Sequence, residues 1–355
     1  MARVLIMAGG TGGHVFPALA VARVLCARGW EVSWMGTPDS FESRTVPAAG
    51  FALETVAAHR LRGQGVAGLV LAPFRLVRAA AQAWRLMGRI RPQVVLGMGG
   101  FVAAPGGLAS RLRGLPLVIH EQNAVPGMTN RWLARIATRV LEAFPGSFPK
   151  GIGAVPTGNP VRAELVDLPP PERRMASRSG PVRVLVLGGS LGAQALNERL
   201  AGVLVRAGVP LQIRHQAGRD KAEVARAAYR DAGLEARVTP FIDDMGEAYA
   251  WADLVVCRAG AITVAELAVV GVASILVPYP HAVDDHQARN AEFLVAGGAA
   301  RMVRQDELED ETTVETLKAL LGDRRRLLEM ARKARALGRP DAADAVARQV
   351  MEVVA

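Results

Sequence analysis

Residues 4–22 read VLIMAGGTGGHVFPALAVA: an apolar run, a glycine-rich loop and a second apolar segment. A buried strand that leads through glycines into a helix brings backbone N–H groups against an anion, because glycine has no Cβ to block the approach. The NAD-binding fingerprint asks for a third glycine where Val15 stands, and no lysine follows a glycine as a Walker loop requires. We therefore expect an α/β fold whose first loop binds an anion other than ATP and departs from the NAD pattern.

Length and composition indicate a globular α/β protein. The 355 residues, 50% hydrophobic and 5% aromatic, suggest about two domains. The two cysteines, Cys26 and Cys257, lie in opposite halves of the chain and offer no basis for a disulfide framework or a zinc site. The sequence contains neither a secretion-signal pattern nor a run of about 18 uncharged apolar residues. We expect a cytoplasmic protein that does not span a membrane.

The excess positive charge lies in the N-terminal half. Residues 1–160 carry 17 basic and 6 acidic residues, whereas the remainder carries 26 basic and 27 acidic residues. Such a balance indicates an anionic partner for the first half: nucleic acid, an anionic membrane or a phosphorylated substrate. A general drift toward arginine, which supplies 39 of the 43 basic residues, is the alternative explanation.

Residues 66–91 have the pattern of a basic amphipathic helix, with Pro73 expected in its first turn. At about 100° per residue, four of its arginines fall within an arc of about 80°. They are Arg75, Arg78, Arg85 and Arg89. The segment is either a surface helix with its apolar side in the core, or a helix that places Phe74 and Trp84 in a bilayer interface and its arginines against anionic headgroups.

The opening pattern recurs along the chain. Strand and glycine-loop units appear at residues 94–100 and 182–192, and a further strand delivers the polar run HEQN at 120–123. The first helix is expected over about residues 17–28, and the segment from 36 to 59 reads as a loop. A proline-rich, polar stretch from 169 to 180 marks a boundary between two similar α/β domains that face each other across a cleft.

A second candidate anion site follows the apolar strand 254–257. A helix that starts near Ala261 would offer its free N–H groups to a pyrophosphate, with Thr263 and Glu266 on one face. A glutamate so placed can accept ribose hydroxyls, although simple compensation of the helix dipole explains it equally well from the local sequence alone.

Eight motifs together identify a family that the sequence resembles. They occupy residues 9–14, 97–100, 120–123, 158–162, 188–192, 241–245, 257–266 and 286–290. In this order they are similar to the motifs of the MurG family over essentially the full chain. The resemblance implies the GT-B architecture of two Rossmann-like, doubly wound domains. It also implies transfer of N-acetylglucosamine from its UDP derivative to lipid I, giving lipid II in peptidoglycan synthesis.

The resemblance implies three parts of the chain. Residues 1–160 would bind the acceptor and the membrane, residues 161–340 would bind UDP-N-acetylglucosamine, and residues 341–355 would form a helix that packs back on the first domain. The protein would act at the cytoplasmic face of the inner membrane as a peripheral protein. Its expected partners are UDP-N-acetylglucosamine, lipid I and an anionic membrane surface contacted through residues 66–91, with no nucleic acid and no cofactor.

The resemblance also implies site residues. The residues expected to bind UDP-N-acetylglucosamine are Thr11, Gly12, Gly13, Asn123, Arg162, Ser190, Ile242, Ala261, Ile262, Thr263, Glu266, His286 and Gln287. Those expected to bind the acceptor are Gly10, Gly13, His14, Gly99 and Gly100. This chain has His286 and Leu191 at positions where the family usually has glutamine.

The chemistry of the transfer requires a base and an anion site. A muramoyl hydroxyl must lose its proton as it attacks the anomeric carbon, and UDP must leave from the opposite face with inversion. His14 is the expected base, oriented by Glu121, unless it serves a structural role or binds the acceptor phosphate. No metal is expected, because no Asp-x-Asp stands at a strand end and backbone donors can stabilise the leaving group.

Two other functions stay open on the sequence. A UDP-sugar epimerase, or another GT-B transferase that uses a UDP-sugar, would share the nucleotide site, but an epimerase would need several carboxylates around one sugar. A non-enzymatic UDP-sugar sensor would bind the nucleotide without turnover.

Overall fold

The structure is a computed structural model that describes residues 1–58, 65–189 and 192–354, without the side chains of residues 65–70. The chain divides into two compact units. The first unit comprises Met1–Arg162 and Arg339–Ala355, and the second comprises Ala163–Gly338. The expected domain limit at 160/161 lies two residues from this division.

The first unit is built on a parallel sheet of seven strands. These are β1 Arg3–Met7, β2 Glu31–Gly36, β3 Ala52–Thr55, β4 Val94–Gly97, β5 Leu117–Glu121, β6 Arg139–Glu142 and β7 Val155–Pro156. Their order is β3-β2-β1-β4-β5-β6-β7, so the direction of strand addition reverses between β1 and β4. Ligands of open parallel sheets bind at such a switch point, beyond the carboxyl ends of the strands.

Helices cover both faces of this sheet. They are α1 Gly12–Ala27, α2 Phe41–Ala48, α3 Gly65–Ile90, α4 Ala103–Leu112 and α5 Met128–Leu133, with a 3₁₀ turn at Lys150–Ile152. In β1, Val4 and Ile6 enter the core on one side of the sheet, and Leu5 and Met7 enter the core on the other. A central parallel strand buried on both faces is continuously apolar for this reason.

The sequence-based boundaries need three corrections in this unit. Helix α1 starts at Gly12 and not near residue 17, because Thr11 has extended N-cap geometry and the two glycines after it adopt the helical turn. The segment expected as a loop contains α2 and β3. Pro73 lies well inside α3 and not in its first turn, so the 26-residue helix absorbs the loss of one backbone hydrogen bond.

The second unit repeats the design with six parallel strands. These are β8 Val182–Leu187, β9 Leu211–Gln216, β10 Ala236–Thr239, β11 Leu254–Cys257, β12 Ala273–Leu276 and β13 Ala300–Met302. Their order is β10-β9-β8-β11-β12-β13, which places the switch point between β8 and β11. Each unit is therefore a doubly wound, Rossmann-like sheet, as expected.

The boundary predicted at residues 169–180 is too late in the chain, because the second unit already begins at Ala163 and contains this whole stretch. The helices of the second unit therefore begin before it. They are α6 Ala163–Val166, α7 Pro171–Met175, α8 Gln194–Arg206, α9 Ala222–Asp231, α10 Met245–Trp251, α11 Ala261–Val270, α12 His286–Ala296, α13 Glu311–Leu321 and α14 Arg324–Leu337, with a 3₁₀ turn at Val283–Asp285. Helices α8, α9 and α13 contribute to the main apolar core of the unit.

The last helix, α15 Ala342–Glu352, belongs to the first unit. It packs against α1, and its buried residues Val346, Ala347 and Val350 join the core that contains β1. A salt bridge between Arg28 and Asp344 adds a polar contact at the edge of this packing. Among the helices that the structure describes, none is both long enough and apolar enough to cross a membrane.

Candidate functional site

The two glycine loops of the first unit meet at its switch point. Met7 and Gly97 are paired in register, so the loops after β1 and β4 leave the sheet side by side. Gly99 has φ +98°, and a Cβ built on it would lie 2.6 Å from Cδ2 of His14. A Cβ on Gly100 would collide with the backbone of Gly9. Both positions therefore require glycine, and the second loop forms a wall of the His14 environment.

His14 lies in the first turn of α1 and is half-buried. Its Nδ1 is 3.1 Å from the carbonyl oxygen of Gly9, which can only accept, so Nδ1 carries the proton and Nε2 carries the lone pair. Burial lowers the pKa of His14, against the opposing effects of Glu121, the Gly9 carbonyl and Glu42. His14 is thus a neutral imidazole at physiological pH, with one nitrogen ready to take a proton.

Glu42, which no sequence motif predicted, supports the first loop from the side of α2. The buried carboxylate accepts a hydrogen bond of 2.9 Å from the backbone N–H of Gly10. That N–H group is consequently not offered to a ligand, although Gly10 was expected to bind the acceptor. The N–H groups of Gly12 and Gly13 lie in the first turn of α1, where backbone N–H groups have no intrahelical partner and anions commonly bind.

Of residues 120–123, the first three are buried and Asn123 is partly exposed. His120 is fully buried, and its Nε2 lies 3.0 Å from the carbonyl oxygen of Gly158. Burial lowers its pKa to about 4, so it stays neutral. Gln122 donates a 2.9 Å hydrogen bond to the carbonyl of Met98 and thereby ties β5 to the second glycine loop. Both residues hold the loops in place.

Glu121 is buried and occupied by local donors. Its oxygens accept from the backbone N–H groups of Asn123 and Gly127 and from the side-chain amide of Asn130, at 2.8–3.1 Å. Among the described contacts none joins Glu121 to His14 by a hydrogen bond, so its influence on His14 is electrostatic. Asn123 is partly exposed, and its side-chain Nδ2 also donates to Glu121, at 3.2 Å.

Arg162 ends the first unit close to the start of α1. Its guanidinium lies 5.8 Å from the centre of the Phe16 ring, and Phe16 is two residues after His14 in α1. The structure therefore brings the cation of Arg162 beside the N-terminal part of the helix that begins with Thr11 as its N-cap.

In the second unit, Gln216 links two segments that were assigned to the nucleotide. Its Oε1 accepts from the N–H of Gly189, and its Nε2 donates to the carbonyls of Gly189 and Pro240, all at 2.9–3.0 Å. Gly189 belongs to the third glycine loop, and Pro240 directly precedes Phe241 and Ile242. Ser190 and Leu191 lie outside the described residues. Gln216 ends β9, which is only partly buried and has the polar sequence LQIRHQ, so it lacks the apolar strand that precedes residues 120–123.

Helix α11 begins at Ala261, as expected, with Gly260 as its N-cap in extended geometry. Ile262 and Thr263 are partly exposed in its first turn, where N–H groups lack helical partners. Glu266 is buried, and its Oε2 accepts a 3.0 Å hydrogen bond from the hydroxyl of Tyr249. Tyr249 is buried in the short helix α10 and carried no signal in the sequence.

The remaining expected sugar ligands lie at the start of α12. Oε1 of Gln287 accepts from the N–H of Tyr279 at 2.9 Å, and Nδ1 of His286 lies 2.8 Å from the carbonyl of Val283. The two residues before His286, Asp284 and Asp285, both have positive φ, +54° and +48°. Backbone strain of this kind is concentrated at functional sites.

Comparison with known proteins assigns the class. Residues 4–142 match the glycosyltransferase family 28 N-terminal domain, and residues 183–346 match the glycosyltransferase family 28 C-terminal domain. The fold and these matches define a two-domain glycosyltransferase. A crystal structure of MurG from Acinetobacter baumannii has a TM-score of 0.85, is 43% identical, and aligns over 99% of this chain and 100% of that one. The expected GT-B fold class is confirmed.

Relatives of high identity narrow the assignment. A Marinobacter nauticus protein is 54% identical over 99% of this chain and 97% of its own length. An Aeromonas hydrophila protein is 52% identical over 97% of this chain and 94% of its own length. Both are named UDP-N-acetylglucosamine--N-acetylmuramyl-(pentapeptide) pyrophosphoryl-undecaprenol N-acetylglucosamine transferase. The chain belongs to the MurG family, so the resemblance seen in its motifs is confirmed.

Proposed function

We propose that this protein transfers N-acetylglucosamine from UDP-N-acetylglucosamine to the muramoyl 4-hydroxyl of lipid I, giving lipid II. The observation that carries the proposal is the 54% identity to a relative named for this reaction, over 99% of this chain. The presence of His14, the two glycine loops and the α11 start in one chain supports the same conclusion. The product then serves peptidoglycan synthesis, and through it cell shape and division.

His14 is the proposed base. As the acceptor oxygen attacks the anomeric carbon, its proton passes to Nε2 of His14, the nitrogen left free by the hydrogen bond of Nδ1 to Gly9. The bond from the anomeric carbon to the UDP oxygen breaks on the opposite face, so the configuration inverts. Acceptor contacts are assigned to Gly13, Gly99 and Gly100 of the first unit. Glu121 acts on His14 through its charge.

The second unit is proposed to bind the nucleotide and stabilise the departing UDP. Negative charge grows on the diphosphate as the bond breaks, and fixed N–H, hydroxyl and guanidinium donors stabilise it without reorganisation. The donors proposed for this in the second unit are the α11 start, Ala261, Ile262 and Thr263, and Ser190, and the first unit adds Arg162. The further proposed ligands of UDP-N-acetylglucosamine are Ile242, Glu266, His286 and Gln287 of the second unit and Thr11, Gly12, Gly13 and Asn123 of the first.

Helix α3 is proposed to contact the membrane in which the acceptor is anchored. Phe74 and Val77 are 73% and 67% exposed, whereas Ala79, Ala83, Leu86 and Met87 fill the core side of the helix. Exposed apolar side chains beside exposed arginines suit the boundary of an anionic leaflet. Arg113 adds a cation 4.3 Å from the centre of the Trp84 ring. Arg89 is paired with Glu54 and contributes less. The protein would then be peripheral, at the cytoplasmic face of the inner membrane.

The test of the activity is transfer of labelled N-acetylglucosamine from its UDP form to a lipid I analogue. Wild type is expected to form the lipid II analogue, and His14→Ala is expected to lose about two to four orders of magnitude in kcat, the usual contribution of a general base. His281→Ala, at an exposed histidine of the second unit, is the matched control. Absence of transfer by wild type rejects the activity, and normal transfer by His14→Ala rejects the assignment of the base.

A further inference from the structure

We infer that Glu42 is a positioning residue, which fixes the first glycine loop under His14 and sets the charge environment of that imidazole. The kinetic part of this inference rests on the proposed transferase activity. The structural part rests on contacts within the first unit alone. Glu42 lies in none of the motifs by which the sequence was related to its family.

The position of Glu42 is fixed by the start of α2. Ser40 accepts the N–H of Ser43 at 3.1 Å, and the side chain of Ser43 accepts the N–H of Ser40 at 2.9 Å, which forms a capping box. Such reciprocal capping holds the first turn of a helix rigidly. Glu42, the second residue of α2, is thereby directed under the β1 loop with 1% of its surface exposed.

Both oxygens of the Glu42 carboxylate accept hydrogen bonds from nearby groups. Oε2 accepts from the N–H of Gly10 at 2.9 Å, while Oε1 accepts from the N–H and the hydroxyl of Thr37 at 3.0 and 2.7 Å. Burial works to raise the pKa of Glu42, but these hydrogen bonds outweigh it and lower the pKa, so the group is ionised. A buried carboxylate bound to a loop N–H fixes the orientation of that peptide group.

Two glycines provide the space for this carboxylate. A Cβ built on Gly9 would lie 2.5 Å from Oε1 of Glu42, and one built on Gly36 would lie 2.7 Å from its Cγ. The carbonyl oxygen of Gly9 also accepts the hydrogen bond from the Nδ1–H group of His14. The C=O of Gly9 and the N–H of Gly10 belong to one peptide group, so Glu42 binds the peptide group that orients the imidazole.

The charges that face His14 come from two elements. Glu121 at the end of β5 and Glu42 of α2 both favour the imidazolium, and the Gly9 carbonyl acts in the same direction. The guanidinium of Arg162 lies 5.8 Å from the centre of the Phe16 ring on the same helix, and it is not among the groups that shift the pKa of His14. Removal of the Glu42 charge should therefore make His14 less basic, independently of any movement of the loop.

The decisive variant is Glu42→Gln. Its amide oxygen can still accept from Thr37, but its NH₂ group then faces the N–H of Gly10, so the loop contact becomes repulsive. We expect kcat for transfer to fall at least about tenfold, since small misplacements of a reacting group are costly. The acid limb of the rate profile should move to lower pH, because the imidazole of His14 becomes less basic.

A readout independent of turnover separates this inference from the proposed function. NMR titration of histidine-labelled protein, with the His14 signal assigned by His14→Gln, should show a lower pKa for His14 in Glu42→Gln than in wild type. An unchanged His14 titration together with an unchanged kcat overturns the inference. Failure of wild type to transfer sugar overturns the proposed function and leaves the titration result standing.

Two further variants keep the test decisive. Thr37→Val removes one donor from Glu42 but keeps its charge, and should lower kcat several-fold without moving the acid limb. It carries the kinetic test if Glu42→Gln does not fold, and an unchanged kcat in Thr37→Val then rejects the positioning role. Glu31→Gln removes an exposed carboxylate at the start of β2, paired with Arg3, and should change neither readout.

Discussion

The hydroxyl of Tyr249 donates a 3.0 Å hydrogen bond to Oε2 of Glu266, and both side chains are buried. Glu266 is the proposed ribose ligand, and the tyrosine lies behind it on α10. The bond fixes the position of Oε2. The direction of the second carboxylate oxygen is then also fixed, because the carboxylate group is planar. The same carboxylate helps to raise the pKa of the buried Cys257 thiol to about 12, after the larger effect of burial.

Tyr249→Phe should therefore weaken UDP-N-acetylglucosamine binding. Loss of one oriented carboxylate contact, about 1 kcal/mol, corresponds to a rise in KM of about fivefold with kcat less affected. Calorimetry with UDP should show the loss, and 2′-deoxy-UDP should show less of it. Tyr229→Phe removes a hydroxyl that contacts His215 instead, and should lower stability without raising KM. Equal KM values for Tyr249→Phe and wild type would contradict the role.

Gly99→Ala should abolish most of the transfer activity while sparing nucleotide binding. The added methyl group meets the His14 ring, and a displacement of about 1 Å at a reacting group can cost about a hundredfold. Gly50→Ala has a similar positive φ, +86°, but open space around it, so it controls for backbone strain alone. A loss of activity as large in Gly50→Ala would show that strain, and not the contact with His14, is responsible.

Stability should fall in mild acid because two histidines are buried in the neutral form. Burial lowers the pKa of His120 and of His215 to about 4. The unfolded chain binds these protons near pH 6.5 and the folded chain does not, so stability is full above that pH and declines toward pH 4. Each histidine contributes a slope of up to about 1.4 kcal/mol per pH unit. Urea unfolding across this range measures the slope.

The variant for this test is His215→Gln, which removes one of the two buried imidazoles. It is expected to be less stable at neutral pH, because Asn197 and Tyr229 lose a partner. Its stability should nevertheless decline less steeply with acid than that of wild type. Parallel pH curves for the two proteins would show that His215 does not contribute to acid sensitivity.

Partitioning onto vesicles should depend on the exposed side of α3. Phe74→Ser combined with Val77→Ser removes apolar area worth about 2 kcal/mol if both side chains enter the interface, a loss of about thirtyfold in binding. The matched control, Val205→Ser with Val224→Ser, changes two similarly apolar exposed positions of the second unit. Sedimentation with anionic vesicles measures both.

The arginines of α3 are tested in the same assay. Arg78→Gln with Arg85→Gln should lower binding to anionic vesicles by about 1 kcal/mol for each charge, and should have little effect on neutral vesicles. Unchanged partitioning of this variant would reject the anionic surface as the partner.

The sequence located the central strands well. The expected strands at 182–187 and 254–257 coincide with β8 and β11, because strands buried on both faces are almost entirely apolar, and Arg183 near the start of β8 is the one charged residue of these two strands. Peripheral elements were harder to recognise. The strand β3 is a four-residue edge strand with little burial, and α2 contains a proline and several polar residues, so neither has a strong periodic pattern.

Site residues that directly follow the end of a strand were predicted from the sequence. Residues that support the site through contacts with distant segments were not. The positions of Gly99 and Ala261 follow from their place after β4 and β11. The supporting contacts join residues far apart in sequence: Glu42 and Gly10 are 32 residues apart, Gln216 and Gly189 are 27 apart, and Tyr249 and Glu266 are 17 apart. No local sequence pattern encodes such pairs. His120 illustrates the converse: a polar residue at a strand end that proves to be a buried support.

Helix α15 gives the first unit a discontinuous sequence. A fragment cut after residue 162 would lack Val346, Ala347 and Val350, and the apolar side of α1 that they cover would face water. A protein that contains the whole first unit therefore has to include both of its segments, 1–162 and 339–355, whereas the second unit is the single segment 163–338. The second unit is thus inserted into the sequence of the first. Any exchange of nucleotide-binding units between relatives therefore has to be designed as an insertion with two junctions.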